Sequence, residues 1–461
     1  MFDKVIERFL RHSPVSVLSS LVAQRALDPH WLDQVFHQHR DRTYEKELLF
    51  SSVIDLASHV VLGLQPSLHA AFKRAPLDAS FQAVYGKIHR TEPAVLRAMV
   101  AGSYQRLAPV VAEMPQRRPP LVPGHRVRIV DGNALPASEK RLKLLRGFRG
   151  AALPGQSLVT YDADLDLIVD SVPCEDAHAN ERTLMTQRLA SVQAGDIEVA
   201  DSAFSTRAIF RGYRQRRAFL VVREHGANPH PTALGRRKFI GRVETGRVYV
   251  QQVELPAETP EQKPMRLRRI EVHLDVPTQD GETVVRILTN VPKRLLDACA
   301  VAELYRQRWT IEGMFQRLEA SLQSEVQSLG IPAAALLAFS TACVAYNALS
   351  VVQTAIEAAH PICKEQPLSM YYLATELRFA FGGVRLALPP EYWERVAEQE
   401  PAELAATLLS VAGSVRVAQF TKTTRGPKKP KAKGYAPAKE VRQHIATSRA
   451  RAAGTVDYKG G

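Results

Sequence analysis

HRVRIVDGNAL, residues 125–135, is the stretch on which the fold turns. Apolar and β-branched residues run through Val127, Ile129 and Val130, and Asp131-Gly132 closes the run, so the spacing predicts a strand ending in a turn. QSLVTYDADL (156–165) and LDLIVDSVP (165–173) share that texture and give two more strands. NERTLMTQRLASVQAG (180–195) is a helix that stops at Gly195, DIEVADSAF (196–204) the next strand, STRAIFRGYRQR a helix, and RAFLVVREH (217–225) another strand. The order β-β-β-α-β-α-β makes a meander of three strands followed by two that join through helical crossovers. Such a chain builds a mixed sheet with helices on its faces.

Outward from this block the texture changes on both sides. Residues 1–117 read as amphipathic helices, as in EKELLFSSVIDLASHVVLGL and TEPAVLRAMVAGSYQRLAPVVAEM, and the proline-rich MPQRRPPLVPGHR (114–126) reads as the linker that ends them. After His225, RRKFIGRV, GRVYVQQVELP, RRIEVHLDVP and GETVVRILTNVP read as strands and turns only, a β insertion at about 226–292. A helix carrying YRQRWTIEGMFQRLE (305–319) is expected from near Asp297 to about Ser328. Tyr305, Arg308, Glu312 and Glu319 then fall at offsets of 0, 3, 7 and 14 on one helical face. The expected organisation is a helical N-terminal region (1–117), an α/β domain with its β insertion (118–330), a helical C-terminal region (331–415) and a basic, flexible tail (416–461).

Across 461 residues, 45% hydrophobic and 23% charged content describe a globular protein of several domains. The formal charge is +14, and from Arg416 onward 12 Lys and Arg stand against 2 acidic residues, so the tail holds most of the excess. That balance favours a polyanionic partner. Cys174, Cys299, Cys343 and Cys363 lie far apart with no CxxC, which argues against a zinc site or a disulfide framework and for a reducing cytosol. The N-terminus breaks its apolar residues with charge and is not read as a signal peptide. Val326–Ile356 has no charged residue and is long enough to span a bilayer, but Ser340, Thr341, Asn347, Ser350, Gln353 and Thr354 suit a helix buried within a protein better than one facing lipid.

Asp131 and Asp201 each end an apolar strand run, and Glu312 lies on a helix dense in arginine and aromatic residues. Three carboxylates meeting at one point can share divalent cations that prefer hard oxygen ligands; without a cation they would repel one another and rise in pKa. The aspartates at 162, 164, 166 and 170 alternate and are read as a solvent-facing edge. The glycines of RGFRGAALPG are spaced wrongly for a Walker loop, so no nucleotide cofactor is expected.

IVDGN, VADSAF and YRQRWTIE resemble the three motif blocks of DDE transposases from bacterial insertion sequences, with the insertion-sequence-4 family and its Y-x2-R-x3-E-x6-K signature the nearest in pattern. The resemblance implies an RNase H-like catalytic core with a β insertion before the last acidic residue. It implies Asp131, Asp201 and Glu312 as a triad holding two Mg²⁺ ions, with Mn²⁺ able to substitute. It implies Tyr305 and Arg308 as contacts to backbone phosphates at the element's ends, double-stranded DNA as partner, and a homodimer assembled on DNA in the bacterial nucleoid. Trp309 either packs in the core or stacks on a displaced base, with packing favoured. Lys140, Arg141, Lys143, Arg146 and Arg149, and Lys428, Lys429, Lys431 and Lys433 of the tail, are candidate phosphate contacts. Two positions depart from the family: Asn133 stands where Thr or Ser is usual, and Glu319 stands at the signature lysine. Arg317 is close to Glu319 in sequence but points about 200° away on a helix. A nuclease or resolvase on the same fold, and a DNA-binding descendant that has lost catalysis, are the rival readings.

Overall fold

The computed structural model describes residues 4–41, 48–115, 119–135, 137–139, 142–147, 150–226, 228–278, 281–387, 395–396, 398–422 and 444–453. The N-terminal part is helical: α1 (Lys4–His12), α2 (Pro14–Ala26), α3 (Pro29–His39), α4 (Phe50–Val61), α5 (Leu68–Arg74), α6 (Phe81–Arg90) and α7 (Pro93–Ala112). Prolines open α2, α3 and α7, where a missing N–H costs nothing, and Asp28 caps α3 by accepting from the Trp31 N–H at 2.7 Å.

The sheet begins with β1 (Val127–Ala134), which pairs antiparallel with β3 (Gln156–Asp162), itself antiparallel to β4 (Leu167–Cys174). The short β2 (Ala151–Leu153) lies outside this sheet. After α8 (Glu181–Leu189), β5 (Ile197–Ala200) runs parallel to β1. After α9 (Arg207–Gln215), β6 (Phe219–Arg223) runs parallel to β5. The meander and the two crossovers read from 125–225 are thus present in their expected order. Four further strands continue the sheet or flank it: β7 (Thr232–Ala233), β8 (Lys238–Val243), β9 (Gly246–Leu255) and β10 (Met265–Leu274). β11 (Val284–Thr289) then returns to pair with β6, giving the sheet order β4-β3-β1-β5-β6-β11-β10-β9-β7.

Behind the meander sits α12 (Pro332–Ala359), which follows α10 (Ala298–Arg306) and α11 (Trp309–Ser321). It is long and apolar enough to cross a membrane, yet 94% of its most apolar window is buried inside the protein, against α2, α4, α7 and β4. Its one asparagine serves the sheet: Asn347 accepts from the Ile168 N–H at 2.7 Å and donates to the Ile168 carbonyl at 2.9 Å and to Ser103 Oγ at 3.1 Å. A polar side chain in the core therefore satisfies backbone groups of β4 that have no further strand beside them. Helices α13 (Met370–Ala387) and α14 (Pro401–Ala412) complete the C-terminal part.

Three expectations are corrected here. The aspartates of the meander do not form a solvated edge: Asp162 and Asp170 are buried and ion-paired to Arg128 and Arg97, and Asp166 to Arg317. The alternation is real, but these carboxylates meet arginines brought by β1, α7 and α11. The segment from Arg416 on is not wholly a free tail. The Ser369 N–H donates to the Phe420 carbonyl at 2.7 Å; β12 (His444–Ala446) pairs parallel with β2, and α15 (Thr447–Ala453) follows it with Arg449 on Asp176 at 2.9 Å. Lys428, Lys429, Lys431 and Lys433 lie outside the described residues. Finally, the single helix expected from Asp297 to Ser328 is two, broken between Arg306 and Trp309 and finished at Ser321.

Candidate catalytic site

Asp131 and Asp201 stand at the same level on neighbouring parallel strands, because the register pairs Val130 with Ala200 and each aspartate comes next. Asp131 lies inside β1, which runs on to Ala134 because Gly132, Asn133 and Ala134 stay paired with β3, so Asp131-Gly132 does not close the strand in a turn as expected; the Asp131 carboxylate accepts from the Gly132 N–H at 3.0 Å. Asp201 leaves β5 in an extended conformation and opens the 3₁₀ turn Ser202–Phe204, whose Phe204 is fully buried and fixes the turn.

The third side of the site comes from the break between α10 and α11. Asp297 caps α10 by accepting from the Ala300 N–H at 2.8 Å. At its end the backbone tightens: Gln307, Arg308, Thr310 and Ile311 all donate three residues back instead of four. Arg308 is the residue on this tight turn, and its guanidinium is directed into the site. It donates to Glu312 Oε1 at 2.9 Å and lies 3.4 Å from Asp131 Oδ2. Only 11% of its side chain is exposed, and it packs over the Trp309 ring at 4.9 Å. Tyr305, buried, lies beside Arg308, Asp201 and Arg223; burial and then the Asp201 charge push its phenol well above the usual range.

The electrostatics follow from this crowding. Burial raises the Asp131 carboxyl to about 6, with Glu181 and Asp201 adding to the rise and Arg308 and the Gly132 N–H opposing it. Burial also works against the charge of Arg308, but Tyr305, Asp201, Asp131 and Glu312 outweigh it and hold its pKa above the ordinary value. Among the described residues no three acidic, histidine or cysteine side chains close on one point as a finished metal cage. The guanidinium of Arg308 fills the space between Asp131 and Glu312 instead. The donor set nonetheless fits a hard divalent cation: the ligands available are carboxylate oxygens, and the half-buried Asp131 is held up in pKa by burial first and then by Glu181 and Asp201.

The other residues read from the sequence divide plainly. Trp309 is 63% exposed and does not pack in the core, which corrects that expectation; the tight turn at Arg308 leaves it facing outward. Lys143 and Arg146 are exposed on a 3₁₀ turn (Lys143–Leu145) that α15 packs against, while Lys140, Arg141 and Arg149 lie outside the described residues. Glu319 is exposed near the end of α11. Its acidic neighbour Glu325 is raised in pKa by burial and by Glu319, so the surroundings of the signature-lysine position are negative. Arg317 does not compensate, because it is turned inward onto Asp166 at 2.6 Å and Tyr346 Oη at 2.5 Å.

One acidic residue escaped the sequence reading. Glu181 opens α8 behind its cap Asn180, and its carboxylate lies over Gly132: a Cβ on that glycine would sit 2.0 Å from Glu181 Oε1. In sequence, Asn-Glu at a helix start has an ordinary capping explanation, and nothing in the spacing ties residue 181 to residue 131.

With the geometry in hand, comparison with known proteins gives a class. Residues 123–348, which hold β1 through most of α12 and every carboxylate of the site, match the family model of the transposase DDE domain. The match supports a transposase, an enzyme that cuts and joins DNA, and implies an RNase H-like fold, with which the mixed sheet and its flanking helices agree. No curated protein matches the chain.

Proposed function

We propose that this protein is a DNA transposase of the insertion-sequence-4 type. It cleaves at the terminal inverted repeats of its element and joins the exposed 3′ ends to target DNA. What supports the reading is Arg308, which reaches both Asp131 and Glu312, with Asp201 level with Asp131 on the neighbouring strand, all within the segment that matches the transposase DDE domain. In this reading Asp131, Asp201 and Glu312 hold two Mg²⁺ ions, for which Mn²⁺ substitutes. Bound there, the cations supply an activated water or 3′ hydroxyl and stabilise the leaving oxygen in phosphodiester exchange.

The chain's own residues do the rest. Arg308 offers a planar, fully ionised fork to a phosphate oxygen once it leaves the carboxylates, and Tyr305 backs it with a phenol that stays protonated. Trp309, exposed beside Arg308, presents an aromatic face to a base of the DNA end. Helices α1–α7 serve as the end-recognition region (1–117), 118–330 as the catalytic domain with its insertion at 226–292, and 331–415 as the helical region that brings two copies together on DNA. Lys143, Arg146 and the lysines of 428–433 add sequence-independent phosphate contacts.

The test supplies pre-cleaved element ends with target plasmid and a divalent cation. Joined product that Asp131→Ala, Asp201→Ala and Glu312→Ala each abolish supports the proposal. Cleavage of intact ends without joining replaces it with a nuclease or resolvase. Tight binding to ends with no chemistry in any variant replaces it with a DNA-binding descendant.

A further inference from the structure

We infer that Arg223 grips a DNA backbone phosphate at or next to the scissile one, and that Glu282 of the β insertion occupies it in the DNA-free protein; this rests on the reading of Asp131, Asp201 and Glu312 given above. Strand register brings the residue in. Val130 of β1 pairs with Ala200 of β5, and Ala200 pairs with Val222 of β6, so the next residues, Asp131, Asp201 and Arg223, stand in one row across three neighbouring strands. Strands about 4.8 Å apart place the Arg223 backbone about 5 Å from that of Asp201 and about 10 Å from that of Asp131. Alternation decides the face. Val130, Ala200 and Val222 pack into one core, whereas Ile129, Val199 and Val221 belong to the core on the other side, with Tyr305, Ile311 and Met314. Asp131, Asp201 and Arg223 continue that second set, on the side from which Tyr305 and Arg308 arrive. Helix α10 packs against β6, and Arg223 is near enough to the Tyr305 phenol for its charge to oppose the rise that burial and Asp201 impose there.

The partner that Arg223 has now is one it can exchange. Its guanidinium donates to both carboxylate oxygens of Glu282, which follows the turn between β10 and β11 and donates its own N–H to Thr278 Oγ1 at 3.1 Å. The arginine keeps 33% and the glutamate 42% of its side chain exposed, and an ion pair screened to that extent contributes little to folding. Stability therefore does not account for an arginine in this row. The chemistry of the substrate does: a phosphodiester approaching Asp131 and Asp201 is repelled by both, and it needs positive charge on each flank. Arg308 supplies it beside Asp131 and Glu312. Arg223 supplies it beyond Asp201, on the next strand. A phosphate presents the same pair of oxygens to the guanidinium fork as a carboxylate does, so DNA takes the place of Glu282 without moving β6.

The experiment titrates the full chain, in chelator so that nothing is cut, against a fluorescein-labelled duplex of the inverted repeat that brackets the gene, over a range of salt. Arg223→Ala is expected to lower the slope of log affinity against log salt by about 1, and Arg223→Lys to restore it. Glu282→Gln, which frees the arginine, is expected to bind about two- to fivefold tighter. Neutral methylphosphonates placed singly at the scissile phosphate and its two neighbours locate the contact. One of them should weaken the parent and leave Arg223→Ala unaffected. A parent-like slope in Arg223→Ala overturns the inference, as does an Arg223→Ala protein as sensitive as the parent to all three methylphosphonates, since its contact then lies elsewhere on the DNA. Glu282→Gln binding no tighter than the parent overturns the part given to Glu282. Arg308→Ala separates the two readings. If it loses slope and methylphosphonate sensitivity while Arg223→Ala does not, only the inference about Arg223 fails; if neither variant changes, the site reading beneath it fails.

Discussion

Arg308→Gln should bind divalent cations more tightly than the unsubstituted protein, although the arginine is part of the site. The guanidinium lies 2.9 Å from one Glu312 oxygen and 3.4 Å from one Asp131 oxygen, so a cation using both carboxylates must first displace it. Two unit charges about 4 Å apart interact by about 4 kcal/mol at an effective dielectric near 20. Glu312 keeps 40% of its side chain in water, and solvent screening cuts the net worth of such a pair to about 0.3–1 kcal/mol. Removing the competitor should therefore strengthen Mn²⁺ binding roughly two- to fivefold. The titration belongs at about pH 8, because without Arg308 the Asp131 carboxyl rises further and a proton would replace the arginine as competitor at lower pH. Calorimetry on the DNA-free protein reads the effect directly. An unchanged or weaker dissociation constant would refute the idea that Arg308 stands in for a cation. The same variant should bind element ends less tightly, with a shallower salt dependence, because it has lost one phosphate contact.

Four further outcomes are expected. The Asp131 carboxyl, at about 6 in the folded chain against about 4 unfolded, makes the charged site a stability penalty that is full above pH 6 and lifted as pH falls towards 4. Asp131→Asn should thus resist urea better than the parent near neutral pH in chelator, with the gap closing by about pH 4. Gly132→Ala should swing Glu181 outward, since the new methyl would meet Oε1 at 2.0 Å at the end of a flexible side chain; the fold should be retained by circular dichroism, with urea stability changed by less than about 1 kcal/mol. Trp309→Ala should leave urea stability within about 0.5 kcal/mol, because the ring is 63% exposed, while weakening binding to element ends by about 1–3 kcal/mol in a gel-shift titration. Glu319→Lys should hold or improve end binding and leave Mn²⁺ affinity unchanged; loss of cleavage as complete as in Glu312→Ala would move the third acidic role to residue 319.

The β-β-β-α-β-α-β core was legible because each of its strands is a short apolar run ended by a turn or helix signal, and period and length decide such runs locally. The candidate carboxylates were picked out by position: Asp201 does follow the end of its strand and Glu312 sits a fixed distance from Tyr305 and Arg308, but Asp131 lies inside β1, which runs on to Ala134. What could not be read depends on contacts between distant residues. Asp162 and Asp170 look like edge charges until α7 and β1 supply Arg97 and Arg128. Glu181 looks like a helix cap until the fold lays α8 across Gly132. The return of β12 to β2 joins residues nearly three hundred positions apart, and a three-residue strand carries no pattern of its own.

The break at Arg308 explains why a correct periodicity still misplaced a tryptophan and a helix end. An α-helix turns about 100° per residue and a 3₁₀ turn about 120°, so the few residues on three-back bonds rotate α11 against the line of α10 by tens of degrees. A face counted at constant pitch from Tyr305 therefore holds for Arg308, on the turn itself, and its partner one turn later, Glu312, which the arginine holds directly. It fails for Trp309, which a continuous helix would have carried towards the core. Glu319 is lost for a different reason: it shares Glu312's face but stands about 10 Å further along the axis, where α11 is ending. A charge at that distance, exposed to solvent, hardly acts on the carboxylates of the site. The acidic centre and the charge at residue 319 therefore answer to separate tests.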